Sequence, residues 1–173
     1  MNNIFLTGAP SSGKTTIIKK IIKGFTLPAK GFYTEEERLA GKRVGFIMKS
    51  LCGQQGYLAH ENIQSDFRIR RYGVSIENID HIAVPSLAPE NDHLIVLDEI
   101  GKMECFSPSF KNAAIRALDA KNIVIGTITL GGDPFIRRIK TRQDLEIIEV
   151  TPENRERLPE FILEKITSLK RAK

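Results

Sequence analysis

Asn3 to Thr7 (NIFLT) form a short apolar run that stops at Gly8, and an amphipathic stretch with isoleucines at 17, 18, 21 and 22 begins just after Thr15. Between them lies Gly8-Ala9-Pro10-Ser11-Ser12-Gly13-Lys14-Thr15, a complete GxxxxGK[ST] pattern, followed by Thr16. The order predicts a buried strand, a tight loop and a helix from Thr15 to Phe25 with its lysines turned outward. Few folds accommodate it. A loop of this kind gathers backbone N–H groups at a helix N-terminus, where the dipole favours negative charge, and so suits the crowded oxygens of a triphosphate. Glycines at 8 and 13 permit the backbone angles and the close approach. Lys14 is expected to reach the β- and γ-phosphates, and Thr15 to turn its hydroxyl to Mg²⁺.

A second segment fits the same chemistry. Leu94-Ile95-Val96-Leu97 is a continuous apolar run that ends in Asp98-Glu99-Ile100. A strand buried on both faces, with carboxylates at its carboxyl end, is the Walker B pattern of parallel sheets. Asp98 is expected beside the phosphate loop, holding Mg²⁺ opposite Thr15. Glu99 is expected to aim and deprotonate an attacking water, because a fixed carboxylate turns a poor nucleophile into a usable one.

The remaining chain alternates strands and helices. Gly31–Glu37 and Arg43–Leu51 read as a β-hairpin about Leu39 to Lys42, with a further strand at Tyr57–His60. Ser65–Ser75 is basic and irregular, and Ile76–Ser86 holds a short helix ended near Pro85. Ser107-Pro108 opens a helix, Ile123–Thr129 is a buried strand, Pro134–Thr141 a helix and Leu145–Val150 a strand. A last helix is predicted from Thr151-Pro152 to about Lys170, bent or split by Pro159. The expected fold class is α/β: a P-loop domain with a mostly parallel sheet, helices on both faces and an antiparallel hairpin extension. Residues 1–173 show no repeats or linkers and read as one such domain.

Composition narrows the partners. The 26 basic and 21 acidic residues leave a charge of +5, which suits an anionic ligand but does not imply nucleic acid without a concentrated patch. No apolar run approaches a membrane span and no leader pattern opens the chain, so a cytoplasmic monomer is expected. Cys52 and Cys105 make no CxxC pair and read as buried free thiols. His60, His81 and His93 have no ligand spacing.

Several charged groups remain open. Lys102 either reaches a phosphate or pairs with Glu104 on the surface. Arg68, Arg70 and Arg71, or Arg137, Arg138 and Arg142, either close on the γ-phosphate as an arginine finger or form a solvated basic face. Asn154 and Arg155 either contact the base or cap the last helix. Phe32 and Tyr33 read as hairpin packing.

GAPSSGKTT, GFYTEE (31–36), GKRVGF (41–46), RYGV (71–74), DEIGKME (98–104) and TPENR (151–155) occur in this order along nearly the whole chain. Together they resemble the small P-loop nucleoside-triphosphate phosphatases known from thermophiles, with a human cancer-related member. The resemblance implies a RecA-like fold with an added catalytic glutamate. It also implies hydrolysis of ATP, GTP, CTP, UTP and TTP to diphosphate and phosphate, with nucleotide contacts at Gly8–Thr15 and at the segment ending Asp98-Glu99-Ile100. The tract Ile82–Asn91, short and with two prolines, departs from the longer helix usual in such proteins. Two other functions fit the same motifs. One is a P-loop kinase passing the γ-phosphate to a small acceptor, and the other is a nucleotide-gated nucleic-acid-binding protein.

Overall fold

The computed structural model describes residues 2–26 and 28–171. Strand β1 is Asn3–Thr7 and helix α1 is Lys14–Gly24. β2 (Ala29–Leu39), β3 (Lys42–Ser50), β4 (Gln55–His60), β5 (Arg68–Ile69) and β6 (Tyr72–Val74) follow. Ser65–Ser75, expected to be irregular, therefore contains a small hairpin, turned at Arg70 with φ 53°. The helical run after it, α2, comprises Ile76–Asn78, a π-helical stretch Ile79–Ala83 and Val84–Ser86. It ends at Ser86, one residue past Pro85, close to where the proline leads one to expect.

β7 (Leu94–Ile100) leads through a 3₁₀ turn at Glu104–Phe106 to α3 (Pro108–Asp119). β8 (Val124–Ile128), α4 (Pro134–Lys140), β9 (Leu145–Glu149) and α5 (Leu158–Arg171) complete the order. The last helix thus begins at Leu158, not at Thr151. Thr151–Arg157 forms turns in which Asn154 Oδ1 accepts from Thr151 N at 2.9 Å, and Pro159 sits in the first helical turn where no N–H is needed.

All nine strands join one sheet in the order β5-β6-β4-β3-β2-β7-β8-β1-β9. β2 to β7, β7 to β8, β8 to β1 and β1 to β9 pair in parallel, whereas β2 to β3, β3 to β4, β4 to β6 and β5 to β6 pair antiparallel. The strand carrying Asp98 is therefore separated from the strand before the phosphate loop by β8. Alternating residues feed two cores. Ile4, Leu6, Leu94 and Val96 pack with Ile17, Ile18 and Ile21 of α1 and Ile162 and Ile166 of α5. Phe5, Ile95 and Leu97 pack on the other face against α2, α3 and α4. This is the covered parallel sheet that the apolar runs predict.

Gly31 sits where β2 passes from its parallel pairing with β7 to its antiparallel pairing with β3. Its φ is +116°, and a Cβ there would lie 1.9 Å from Val96 O. Only glycine lets the two strands approach so closely. Cys52 is exposed and Cys105 buried, so the expectation of two buried thiols holds for one of them.

Candidate functional site

The loop after β1 opens α1 without a side-chain cap. Gly13 is the cap residue at φ 100°, and the first turn carries no acidic residue. α3 and α4 differ: Ser107 Oγ accepts from Phe110 N, and Asp133 Oδ1 from Ile136 N. The N-terminus of α1 thus keeps its N–H groups for something outside the helix, and its dipole favours an anion. Lys14 Nζ donates to Gly8 O and Ala9 O, both at 3.0 Å. Gly8 has φ +143°, and a Cβ on it would approach Val150 O to 2.9 Å, so the loop lies close against the end of β9.

A cleft of about 790 Å³ opens over this loop, within the usual range of small-molecule sites. Gly8, Pro10, Ser11, Gly13, Lys14, Thr15 and Thr16 line one wall. Glu99, Thr129 and Leu130 line it from the ends of β7 and β8, and Lys19 from α1. Thr34, Glu35, Glu36, Arg43 and Phe46 of the β2–β3 hairpin supply the rest of the lining. Of the predicted loop residues, Ala9 contributes its carbonyl to Lys14, and Ser12 Oγ is buried without a hydrogen-bond partner among the described residues. Leu94, Ile95, Val96, Leu97 and Ile100 have fully buried side chains; they hold the strand, and Asp98 and Glu99 carry its polar groups.

Asp98 is 1% exposed. Its Oδ1 accepts from the Thr127 hydroxyl of β8, while Oδ2 is buried with no hydrogen bond among the described residues. Burial raises the Asp98 pKa, opposed by the Thr127 and Thr15 hydroxyls and the Lys14 charge. A carboxylate oxygen buried without a hydrogen bond costs free energy as it stands. It fits a hard divalent cation, which takes oxygen donors from one or two side chains and the rest from phosphate and water.

Glu99 is partly exposed to the cleft. Burial, and then the Asp98 charge, push its pKa up to about 7, against the pull of Lys14. The surface pair of Lys102 and Glu104, one of the two readings left open by the sequence, does not form among the described residues. Lys102 is exposed, while Glu104 is 4% exposed and held in the 3₁₀ turn. A Cβ on Gly101 would meet Glu104 Oε2 at 2.7 Å and Glu99 Oε1 at 3.2 Å, so the two carboxyl groups crowd the same glycine. Burial, then the Glu99 charge, raise the Glu104 pKa well above the ordinary range.

The arginine clusters singled out by sequence lie elsewhere. Arg68 donates to Ile63 O and Arg71 O, and Arg71 to Arg43 O, which braces the β5–β6 hairpin. Arg142 is tied to Asp119 and Asp144 at 2.7 Å, Arg137 to Gly132 O at 3.0 Å, and Arg138 lies over the Phe135 ring. Asn154 caps its own turn, and Arg155 pairs with Glu156. His60 Nδ1 accepts from Asn62 N, and His93 Nδ1 contacts Asn91 O. Sequence reasoning did not find the hairpin wall. Its one signal was GFYTEE with GKRVGF, where acidic and basic residues share two strands destined to pair. In the structure Glu35 is held by Lys19 and Lys49, and those two cations keep its pKa below the usual carboxylate range.

Among known proteins, a family model described as NTPase matches residues 3–163. A nucleoside-triphosphatase named THEP1 from Thermotoga maritima is 41% identical over 162 residues, 92% of this chain and 92% of its own length. The human cancer-related nucleoside-triphosphatase is 36% identical, over 90% of this chain and 92% of its own. The crystal structure of THEP1 from Aquifex aeolicus superposes with a TM-score of 0.87 at 32% identity, over 95% of this chain and 98% of that one.

Proposed function

This chain belongs to the NTPase family, and on that premise we propose that it hydrolyses nucleoside 5′-triphosphates, ATP, GTP, CTP, UTP and TTP alike, to diphosphate and phosphate with Mg²⁺. The observation that carries the reading is that the uncapped start of α1 and Glu99 line one cleft. A phosphate chain would satisfy the free N–H groups, and a carboxyl group in the same cleft can serve an attacking water. No broad preference for a base follows from this wall, because the loop reads phosphates and not the base.

Each residue has a role. Backbone N–H groups of the loop, at Gly13 to Thr16 above all, would hold the β- and γ-phosphate oxygens. Lys14 exchanges its two carbonyl partners for phosphate oxygens and offsets charge on the β–γ bridge as that bond breaks. Thr15 and Asp98 would hold the Mg²⁺, whose positive charge, when bound, draws electron density from the phosphoryl oxygens. Thr127 fixes the Asp98 carboxylate from behind. Glu99 orients the water and takes its proton as the water oxygen bonds to the γ-phosphorus. The bond from that phosphorus to the bridging oxygen breaks, and the diphosphate leaves with the electron pair. A pKa near 7 before substrate arrives suits a group that must accept a proton near neutral pH.

The test is Glu99→Gln, which keeps size and removes the proton acceptor. Triphosphate affinity should stay near wild type while phosphate release falls at least about a hundredfold. Turnover within about threefold of wild type removes Glu99 from the role. Parallel assays with each nucleotide, with and without EDTA, check breadth and metal dependence: full activity in EDTA contradicts the metal assignment. Diphosphate formed only with an added acceptor, with the phosphoryl group on that acceptor and no free phosphate, points to a kinase instead.

A further inference from the structure

Arg43 lines the same cleft as Lys14, and its surroundings are more specific than an ordinary surface arginine's. Its Nη1 donates to Glu36 Oε1 at 2.6 Å and its Nε to the Tyr72 hydroxyl at 3.3 Å. The guanidinium lies 4.9 Å from the Phe46 ring centroid and 5.8 Å from that of Tyr72, and those two rings meet edge to face at 5.4 Å. Its main chain is gripped as well. Arg43 O accepts from the Tyr72 hydroxyl at 3.1 Å and from Arg71. A guanidinium fixed along one edge and one face has lost most of its rotamer freedom before any ligand arrives, so little is left to lose on binding.

What this packing leaves over is Nη2. It makes no hydrogen bond among the described residues, and Arg43 lines the same cleft as Gly8–Thr16 and Glu99. The Glu36 carboxylate does not depend on Arg43 alone. Its Oε2 takes Arg38 Nη2 at 2.5 Å and Nε at 3.1 Å. Arg43 can shift its donors from Glu36 toward another anion without stranding a bare carboxylate. That differs from a structural ion pair, whose rupture leaves one charge uncompensated.

Resting on the hydrolase reading for the identity of the anion, we propose that Arg43 is a substrate-contacting cation of this site, engaging the terminal phosphoryl oxygens of the nucleotide from the hairpin side. The two cations divide the work by shape. Lys14 is a mobile point charge from the loop, and Arg43 a planar fork that matches two oxygens of one phosphoryl group. As the γ-phosphoryl group loosens from the diphosphate, charge spreads over its equatorial oxygens and the bridge. A fixed guanidinium is worth most at that moment. The position also explains why GKRVGF and GFYTEE accompany the phosphate loop: the first supplies the cation and its aromatic plate, the second the carboxylate that holds it meanwhile.

The experiment compares Arg43→Ala and Arg43→Lys with wild type in two readouts. The first is affinity for the β,γ-imido triphosphate against affinity for ADP, by calorimetric titration. The second is phosphate release from ATP. Arg43→Ala should weaken the imido triphosphate by about tenfold or more and leave ADP within about twofold, and kcat should drop at least about a hundredfold. Arg43→Lys keeps the stem and the charge, guards against a folding defect, and should recover affinity but little of the rate. Equal losses for tri- and diphosphate, or no loss in either, overturn the proposal, as does a lysine variant with the wild-type rate. A wild-type protein that releases no phosphate would overturn the hydrolase reading, while the ratio of the two affinities still decides the case for Arg43.

Discussion

In the parallel half of the sheet, β7, β8, β1 and β9 run side by side, and what they offer the cleft stands at their carboxyl ends: Glu99, Thr129 and the loop from Gly8. In the antiparallel wing, Thr34, Glu35, Glu36, Arg43 and Phe46 reach the same cleft from within two strands. The parallel half concentrates its chemistry in two unbroken stretches because parallel strands all end on one edge. The wing spreads its chemistry along a hairpin, where alternate residues face one side and neighbours across the pair supply the partners. On the proposed reading, one half would fix the phosphate chain and the other would cover it.

The largest expected effect separates the halves. Lys14→Ala should lower phosphate release on the order of 10³-fold, with a smaller loss of triphosphate affinity and no change in thermal midpoint beyond about 2 °C. Release and affinity lost in equal proportion would mean that the loop lysine binds and does not discriminate the transition state. Second in size is the seam. Gly31→Ala forces a Cβ into the Val96 backbone at a positive φ and should cost about 2–4 kcal/mol of folding stability. Urea unfolding should remain a single transition at lower midpoint. Two separated transitions would show that wing and parallel half unfold independently, and the comparison would have to be redrawn as two units.

The smallest effect concerns Glu104. Burial and the Glu99 charge raise its folded-state pKa above the unfolded value. A carboxyl group raised in this way contributes stability that is fully present below the ordinary glutamate range and is lost as pH climbs through the folded-state value. Glu104→Gln, which never ionises, should therefore be more stable than wild type at pH 8 by a few degrees. The two should converge by about pH 4, near the unfolded glutamate value. Melting curves across that range check the sign; a gap that widens on acidification would place a charged, stabilised Glu104 in the native protein.

How much of this was legible follows from the same contrast. Gly8–Thr15 and Leu94–Glu99 could be read because their neighbours in sequence are also their neighbours in the site. Strand and helix periodicity likewise revealed β1, α1, β7, α3 and β8, where apolar runs are long or cleanly spaced. Arg43 was hidden because Glu36 and Tyr72, its partners, are 7 and 29 residues away. Glu104 was hidden because it follows an exposed Lys102 in a polar-looking tract, and only the 3₁₀ turn carries it under Glu99. The start of α5 was misplaced because Thr151-Pro152 and Asn154 spell a helix start while forming a turn that caps itself.

The resting position of Lys14 has a consequence for selectivity. Its ammonium is already solvated by two carbonyls of its own loop, so an incoming anion has to outbid those oxygens. A singly charged anion, or one without a second phosphoryl group to occupy the loop at the same time, brings too little to repay the exchange and leaves the lysine where it was. On the proposed reading, a polyphosphate would occupy the loop N–H groups and repay the ammonium's move. The loop would then screen visitors by the length of the phosphate chain, and orthophosphate should be a poor competitor of its own parent nucleotide.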